Sequence, residues 1–124
     1  MRRFSKIVST TTFIAVAITG LGLASSTVIA AGIKSDIEKG KEIAFNRKKG
    51  NCLACHMIED GKLPGNIAPP LVAMQQRFPD RAKLRAQIYD ATVANPNTIM
   101  IPFGRHKILT DEEIDLVTDF VHQL

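Results

Sequence analysis

The chain has 124 residues, 45% of them hydrophobic, and its 16 basic side chains against 12 acidic ones give a formal net charge of +4. This length accommodates one small domain, and two cysteines are too few for a zinc site built from two cysteine pairs. Three of the basic residues are Arg2, Arg3 and Lys6, so the positive charge belongs partly to one end of the chain and gives no case for nucleic-acid binding.

The first 30 residues have the pattern of a signal peptide. The basic residues precede an apolar stretch over about 7–23 and then Val28-Ile29-Ala30, which matches the small-x-small pattern before a cleavage site. We therefore predict a leader over 1–30, cleaved after Ala30 or alternatively Ala31, and a periplasmic domain over 31–124 with no membrane attachment. A retained anchor is the alternative, but the stretch contains several threonines and is short for a span of about 20 apolar residues. General secretion and twin-arginine export both remain open.

The first helix of this domain is expected to begin at Ser35, because Ser35-Asp36-Ile37-Glu38 has the spacing of a capping box. Gly40 lies inside the helix, where glycine costs about 1 kcal/mol relative to alanine. We therefore expect the backbone of the last helix to come close to Gly40. The basic residues and glycine of 47–50 are expected to end the helix, and a docking patch is the alternative interpretation of these cations.

The central motif is Cys52-Leu53-Ala54-Cys55-His56. Two cysteines three positions apart, followed directly by histidine, are typical of covalent haem c attachment. The two thiols can each form a thioether with a haem vinyl group, and His56 then offers an imidazole nitrogen to the iron as the proximal axial ligand. A redox dithiol, a structural disulfide and half of a zinc site are the alternatives, but no βαβ pattern and no second cysteine pair accompany the motif.

A loop rich in turn-forming residues follows the motif and leads to Ile67-Ala68-Pro69-Pro70-Leu71. Proline lacks a backbone donor, so carbonyl groups near Pro69 are left free to accept hydrogen bonds. We predict that the Pro69 carbonyl accepts from Nδ1 of His56, which would fix the imidazole tautomer and make it a better donor to iron. An ordinary Pro-Pro loop is the alternative. A short helical turn against the haem is expected at Leu71, Val72 and Met74.

A third helix is expected to begin at Asp80, a favourable capping residue, and to end before Asn95-Pro96-Asn97. Its inward-facing positions are apolar: Leu84, Ile88 and Ala91. Its outward-facing positions are basic: Arg81, Lys83 and Arg85.

The candidates for the second axial ligand of the iron are Met57, Met74, Met100, His106 and His122. Met57 adjoins the proximal ligand and cannot reach the opposite face. His122 lies off the apolar stripe of the last helix, where we expect it to be exposed. Met100 is favoured as the distal ligand, because it lies in an apolar loop stiffened by Pro96 and Pro102. Met74 and His106 remain the alternatives.

The last helix is expected to begin at Thr110, because Thr110-Asp111-Glu112-Glu113 forms a second capping box. Its apolar stripe comprises Ile114, Val117, Val121 and Leu124, with Phe120 at the edge. With no strand-period alternation in the predicted domain, the sequence indicates an all-α fold of short helices around one haem.

Taken together, these features resemble class I cytochrome c, and within that group the SoxX family. The residues that carry the resemblance are Gly50-Asn51-Cys52-Leu53-Ala54-Cys55-His56, Gly65 to Leu71, Arg77 to Arg81, Asn95 to Met100, Pro102-Phe103-Gly104, His106 and Ile108-Leu109-Thr110. Two positions depart from the family pattern, Ala68 where glycine is expected and Ile101 where a second proline is usual.

The resemblance implies a monohaem electron-transfer subunit that pairs with SoxA, a haem-bearing subunit. Such a SoxAX complex, with or without a third small subunit, is similar to an L-cysteine S-thiosulfotransferase that oxidatively couples thiosulfate to a cysteine of the carrier SoxYZ. Electrons would pass through this chain to a soluble cytochrome c, and the sulfur chemistry would belong to the partner. No nucleophile–base constellation is visible here. A free-standing periplasmic electron shuttle and a ligand-sensing or peroxidase-like haem protein are the alternatives.

Overall fold

A computed structural model describes residues 25–124, and the helices account for all of the regular structure in that part of the chain. The helices are α1 (Ser25–Phe45), α2 (Met74–Arg77), α3 (Arg81–Tyr89) and α4 (Asp111–His122), with a 3₁₀ turn at Cys52–Ala54 between α1 and α2. The all-α fold expected from the sequence is therefore confirmed. None of these helices is both long and apolar enough to span a bilayer.

The first and last helices cross at Gly40, as the sequence predicts. A Cβ atom added to Gly40 would overlap the backbone carbonyl of Leu116 and would lie 2.9 Å from Cβ of Phe120. Glycine is required there because any side chain would push α1 away from α4. The ring of Phe45 packs edge-on against that of Phe120 at a centroid distance of 5.9 Å, so aromatic contact supports the crossing.

The predicted start of the first helix is wrong for the chain as described. Helix α1 begins at Ser25, so Ser35 lies inside the helix rather than at its cap. The alanines before Ser35 favour continuation of the helix. Helix α1 also ends earlier than expected, at Phe45 rather than within residues 47–50. Beyond its end, the N–H of Gly50 donates to the carbonyl of Ile43 at 3.2 Å. The predicted leader lies mostly outside the described residues, and its cleavage stays a prediction.

The start of α3 and the start of α4 are both set by side-chain caps that the sequence predicts. The Asp80 carboxylate accepts from the N–H of Ala82 at 2.9 Å. At Thr110 the capping box is complete: its hydroxyl accepts from the N–H of Glu113, and the Glu113 carboxylate accepts from the N–H of Thr110. These contacts satisfy N–H groups that have no partner within the helix.

Helix α3 ends at Tyr89, earlier than predicted, because Asp90 leaves the helical conformation with φ −154° and its carboxylate accepts from the N–H of Thr92. The short helical turn expected at Leu71, Val72 and Met74 also differs from the prediction. Helix α2 begins at Met74, after Ala73 in the left-handed region with φ 51°, so Val72 precedes the helix and is exposed.

The prediction that the three basic residues of α3 lie mostly outside holds for Lys83, whereas Arg81 and Arg85 are half-buried and face α4. Arg81 donates to Asp119 at 2.5 Å, and Arg85 donates to Asp115 at 2.8 Å and to Asp111 at 3.0 Å. The three aspartates are four residues apart and therefore form one row on α4 that faces α3. These pairs hold α3 against α4. Lys83 is exposed.

The core lies between α1, α3 and α4. Its largest fully enclosed side chains are Ile114, Val117 and Thr118 of α4, and the Thr118 hydroxyl donates to the carbonyl of Ile114 at 2.6 Å, which satisfies the buried polar group. The predicted inward-facing residues Leu84, Ile88 and Ala91 are buried. Packing of these helices leaves one side of the core open toward the 3₁₀ turn, where the candidate site lies.

Candidate haem site

The five-residue motif is held as one tight turn. Asn51 precedes it in the left-handed region with φ 46°, and the N–H of His56 donates to the carbonyl of Cys52 at 2.9 Å. The following loop packs directly on the turn, since the N–H of Gly65 donates to Leu53 at 2.7 Å and a Cβ at Gly65 would overlap the carbonyl of Ala54. The turn therefore presents both cysteines and the histidine from a fixed backbone.

The imidazole of His56 is oriented by the proline loop. Its Nδ1 lies 2.7 Å from the carbonyl oxygen of Pro69. A carbonyl can only accept, so Nδ1 carries the proton and Nε2 keeps a free lone pair for a metal. The hydrogen bond is the one expected from the sequence, whereas the ligand role of His56 stays a prediction.

Arg77 fixes the same loop and was given no role by sequence reasoning. Its guanidinium donates to the carbonyl of Pro70 at 2.7 Å and approaches Sδ of Met74 at 3.3 Å. Its carbonyl partners, those of Pro70 and Val72, belong to the preceding loop and are brought close by the fold, so no local sequence pattern could have indicated them. Arg77 thereby links the loop that orients His56 to the start of α2.

A cavity of about 710 Å³ opens beside the turn. Its wall contains every predicted site residue: Cys52, Cys55, His56, Pro69 and Met100. The rest of the wall is largely apolar and includes side chains from α2, α3, α4 and the last loop: Met74, Leu84, Ile88, Phe103, Val117 and Val121. A volume of this size lies within the roughly 300–1,000 Å³ of cofactor pockets. Paired thiols, a free imidazole nitrogen and apolar walls suit a covalently attached haem.

The two thiols are free. Burial raises the pKa of the Cys52 thiol to about 11, and the neighbouring Cys55 adds to the effect. An unmodified Cys52 is therefore a protonated thiol near neutral pH, which argues against the alternative of a redox dithiol, since such chemistry depends on a thiolate of lowered pKa.

The candidate distal ligands differ in their surroundings. Met100 is half-buried in the cavity wall, and its N–H donates to the hydroxyl of Thr98 at 3.1 Å. Met74 also lines the cavity but is only 2% exposed, and its sulfur is contacted by Arg77. Of the two methionines that line the cavity, Met100 is therefore the one whose sulfur has no donor among the described contacts, and it remains the predicted distal ligand.

The remaining candidates lie away from the cavity wall. Met57 is 51% exposed, and His106 is exposed. The expectation that His122 is exposed is wrong: it is half-buried, and its Nε2 lies 3.0 Å from the carbonyl of Phe78. This contact links the end of α4 to the segment before α3, and it keeps the His122 side chain from being exposed.

Basic side chains stand at the mouth of the cavity. Arg47, Lys48 and Lys49 all line it, although they follow the end of α1 rather than belonging to its last turn. Lys49 pairs with Glu113 at the start of α4 and, with the Thr110 N–H, holds the pKa of that carboxyl below its ordinary value. Arg47 and Lys48 are exposed and lie beside the cavity opening.

Fold and site together define a c-type haem protein. The family model "Cytochrome c" matches residues 37–124, and the chain belongs to this family. This part of the chain is therefore a c-type cytochrome domain with covalently bound haem c, and Cys52 and Cys55 are the two cysteines present for its attachment.

The chain is also similar to an "Uncharacterized lipoprotein" of Aquifex aeolicus (strain VF5), with 36% identity over 76 residues. The matched region spans 60% of this chain and 37% of that protein.

Proposed function

We propose that this cytochrome is the monohaem electron-transfer subunit of a periplasmic thiosulfate-oxidising complex, the role of SoxX. In this proposal a SoxA-like haem subunit carries the sulfur chemistry on the carrier SoxYZ, and a soluble cytochrome c removes the electrons. The bound haem supplies the one-electron couple. The residues of this chain attach it, orient the proximal imidazole and exclude water from most of its surface.

The structural observation that carries the docking part of the proposal is an apolar rim at the cavity mouth. Ile67, Ile99 and Ile101 line the cavity and are 66%, 75% and 48% exposed. Grouped exposed apolar side chains at a site are typical of a protein-binding surface. Arg47 and Lys48 flank the same opening and favour an acidic partner.

The thiosulfate part of the proposal rests on the sequence resemblance. The stretches that support it, Arg77 to Arg81 and Asn95 to Thr110, include the loop that brings Met100 to the cavity wall. The two departures, Ala68 and Ile101, affect the shape of the loops and not the proposed ligands.

The experiment is affinity purification of the tagged chain from the periplasm at low ionic strength, followed by addition of thiosulfate and SoxYZ. We expect a haem-bearing partner to co-purify and the bound haem of this chain to become reduced. The alternative result is a chain that elutes alone and whose haem is reduced by other electron donors but not by thiosulfate and SoxYZ. That result would identify a free electron shuttle instead.

A matched pair of variants tests the rim. Ile99→Glu places a charge in the proposed contact and should weaken partner binding at least about tenfold, as expected for a residue inside an interface. Val93→Glu changes a side chain that is 83% exposed and outside the cavity wall, and should leave binding unchanged. Equal behaviour of the two variants would contradict docking through the rim.

Met100 is proposed as the distal ligand because a closed, six-coordinate iron suits electron transfer and a thioether raises the reduction potential relative to a second imidazole. The test is the weak band at roughly 695 nm that iron–methionine bonding gives in an oxidised haem c. Met100→Ala should abolish the band and lower the potential. Survival of the band in Met100→Ala, with its loss in Met74→Ala, would assign the ligand to α2.

The periplasmic location is proposed from the leader pattern of residues 1–30. Intact mass of the exported holoprotein should show a chain beginning at Ala31 or Gly32. A mass that retains the leader, with the protein in the membrane fraction, would overturn the proposed location.

A further inference from the structure

The loop that carries Met100 is closed at its base by a buried carboxylate. Asp90 follows α3 directly, and its side chain is 10% exposed. One carboxylate oxygen accepts from the N–H of Thr92 at 3.0 Å and from its hydroxyl at 2.5 Å. The other oxygen forms a salt bridge with the guanidinium of Arg105, across the loop, at 3.1 Å.

Arg105 makes a second contact across the same gap, because its guanidinium also approaches the Thr92 hydroxyl at 3.3 Å. Next to it, the N–H of Gly104 donates to the carbonyl of Tyr89 at 3.0 Å. The two ends of loop 91–104 are thus joined by one backbone hydrogen bond and by the pairing of Asp90 with Arg105.

We propose that Asp90 and Arg105 form a latch that keeps the Met100 loop closed and thereby limits how readily the methionine leaves the iron. The latch acts through the loop, so both members are positioning residues and neither lines the cavity. The inference rests on the proposed role of Met100 as a ligand.

The latch acts on the balance between opening of the loop and binding of the Met100 sulfur to the iron. A loop joined at its base has fewer open conformations, so holding the sulfur over the iron costs less conformational entropy. The hydrogen bonds from Thr92, followed by the charges of Arg105 and His106, hold the pKa of Asp90 below its ordinary value, so the carboxylate is charged near neutral pH. An added ligand such as imidazole must displace the methionine, and its apparent affinity reports the population of the open loop.

The first measurement is imidazole binding to the oxidised holoprotein. Asp90→Asn keeps the shape of the side chain and removes its charge, and should raise imidazole affinity about fivefold, near the upper end for a partly exposed ion pair. Arg105→Gln, at a side chain that is 53% exposed, should give a similar increase without disturbing the core. Arg105→Lys retains the charge and should restore part of the difference.

The matched control is Asp119→Asn. It removes an aspartate that accepts from Arg81 between α3 and α4, so it breaks a similar ion pair that has no link to the loop. Its imidazole affinity should stay within about twofold of the wild type. Equal affinities in Asp90→Asn and Asp119→Asn would overturn the latch.

Hydrogen exchange separates failure of the latch from failure of the ligand assignment. The Gly104 amide, bonded to Tyr89, should exchange faster in Asp90→Asn than in Asp119→Asn, because local opening exposes it. If Met100→Ala leaves the 695 nm band intact, the ligand assignment is wrong, and Gly104 exchange alone decides whether the latch closes the loop. Unchanged Gly104 exchange in both Asp90→Asn and Arg105→Gln would refute it.

Discussion

The carbonyl oxygen of Pro69 lies 2.7 Å from Nδ1 of His56, so a loop 13 residues further along the chain decides which imidazole nitrogen is free. With His56 as the proposed proximal ligand, the bond would give the imidazole more negative character and favour oxidised iron. Because Pro69 restricts its loop, Pro69→Gly should loosen the contact and raise the reduction potential of the haem.

The rise should be about 20–60 mV, since a tenfold shift in a one-electron equilibrium corresponds to about 59 mV. Protein-film voltammetry measures it. Pro64→Gly is the control, because Pro64 lies in the preceding loop and is exposed. A potential that shifts equally in both variants would mean that general loop flexibility, and not the His56 bond, is responsible.

Gly40→Ala should lower the free energy of unfolding by about 1–3 kcal/mol, the usual range for overpacking. The added methyl group would meet the backbone carbonyl of Leu116, which cannot rotate away as a side chain could. Urea unfolding of the holoprotein gives the value. Gly32→Ala is the control, since nothing lies within 4 Å of a Cβ there, and it should not lower the free energy of unfolding. A neutral Gly40→Ala would show that the helices separate at little energetic cost.

The row of aspartates on α4 predicts a loss of stability in acid. Hydrogen bonds from Arg85, followed by its charge and the contacts of Arg81, lower the pKa of Asp115 from its ordinary value of 3.8. A lowered folded-state pKa stabilises the fold above the unfolded value and loses that contribution as the pH falls through the folded value. Unfolding free energy should therefore be nearly constant above about pH 5 and fall below about pH 4.

Asp115→Asn tests this assignment. Its free energy of unfolding should be lower than that of the wild type by about 1 kcal/mol or less at neutral pH, because the pair is partly exposed. This deficit should shrink in acid. Asp60→Asn, at a carboxylate that is 74% exposed, should show little deficit at any pH. A deficit for Asp115→Asn that does not depend on pH would indicate lost packing rather than a lost ion pair.

Cys52→Ala and Cys55→Ala should each leave one thioether, and the double variant should bind no haem covalently. Acid-acetone extraction measures the fraction of haem released, which should be close to zero for the wild type. Protein yield should fall in the variants, because the small domain loses a large part of its core. Complete release of haem from the wild type would contradict thioether attachment at this turn.

Contacts between residues that lie close together in the chain could be predicted from the sequence. The Thr110 box and the Asp80 cap involve groups two or three residues apart, and Gly40 stands out because glycine is unfavourable within a helix. The cavity could be anticipated from the cysteine–histidine motif alone.

Other features depend on segments that only folding brings together. Arg77 contacts the carbonyl of Pro70 in the preceding loop, and Asp90 contacts Arg105 across a whole loop. Arginine side chains donate to carboxylates and to backbone carbonyls alike, so their positions in sequence do not indicate which partner they take. The exposed location predicted for His122 failed for the same reason, since its partner is the distant carbonyl of Phe78.

Helix α4, which crosses α1 at Gly40, is the last helix in chain order and contributes to the cavity wall. Val117 and Val121 line the same space as Cys52, but they are synthesised more than 60 residues later. A chain that emerges N-terminus first therefore presents both thiols on an open turn before the final helix exists. Haem attachment can take place at that stage, and docking of α4 against Gly40 then encloses the attached group. The order of the chain thus separates a chemical step, at the turn, from a folding step, at the helix crossing.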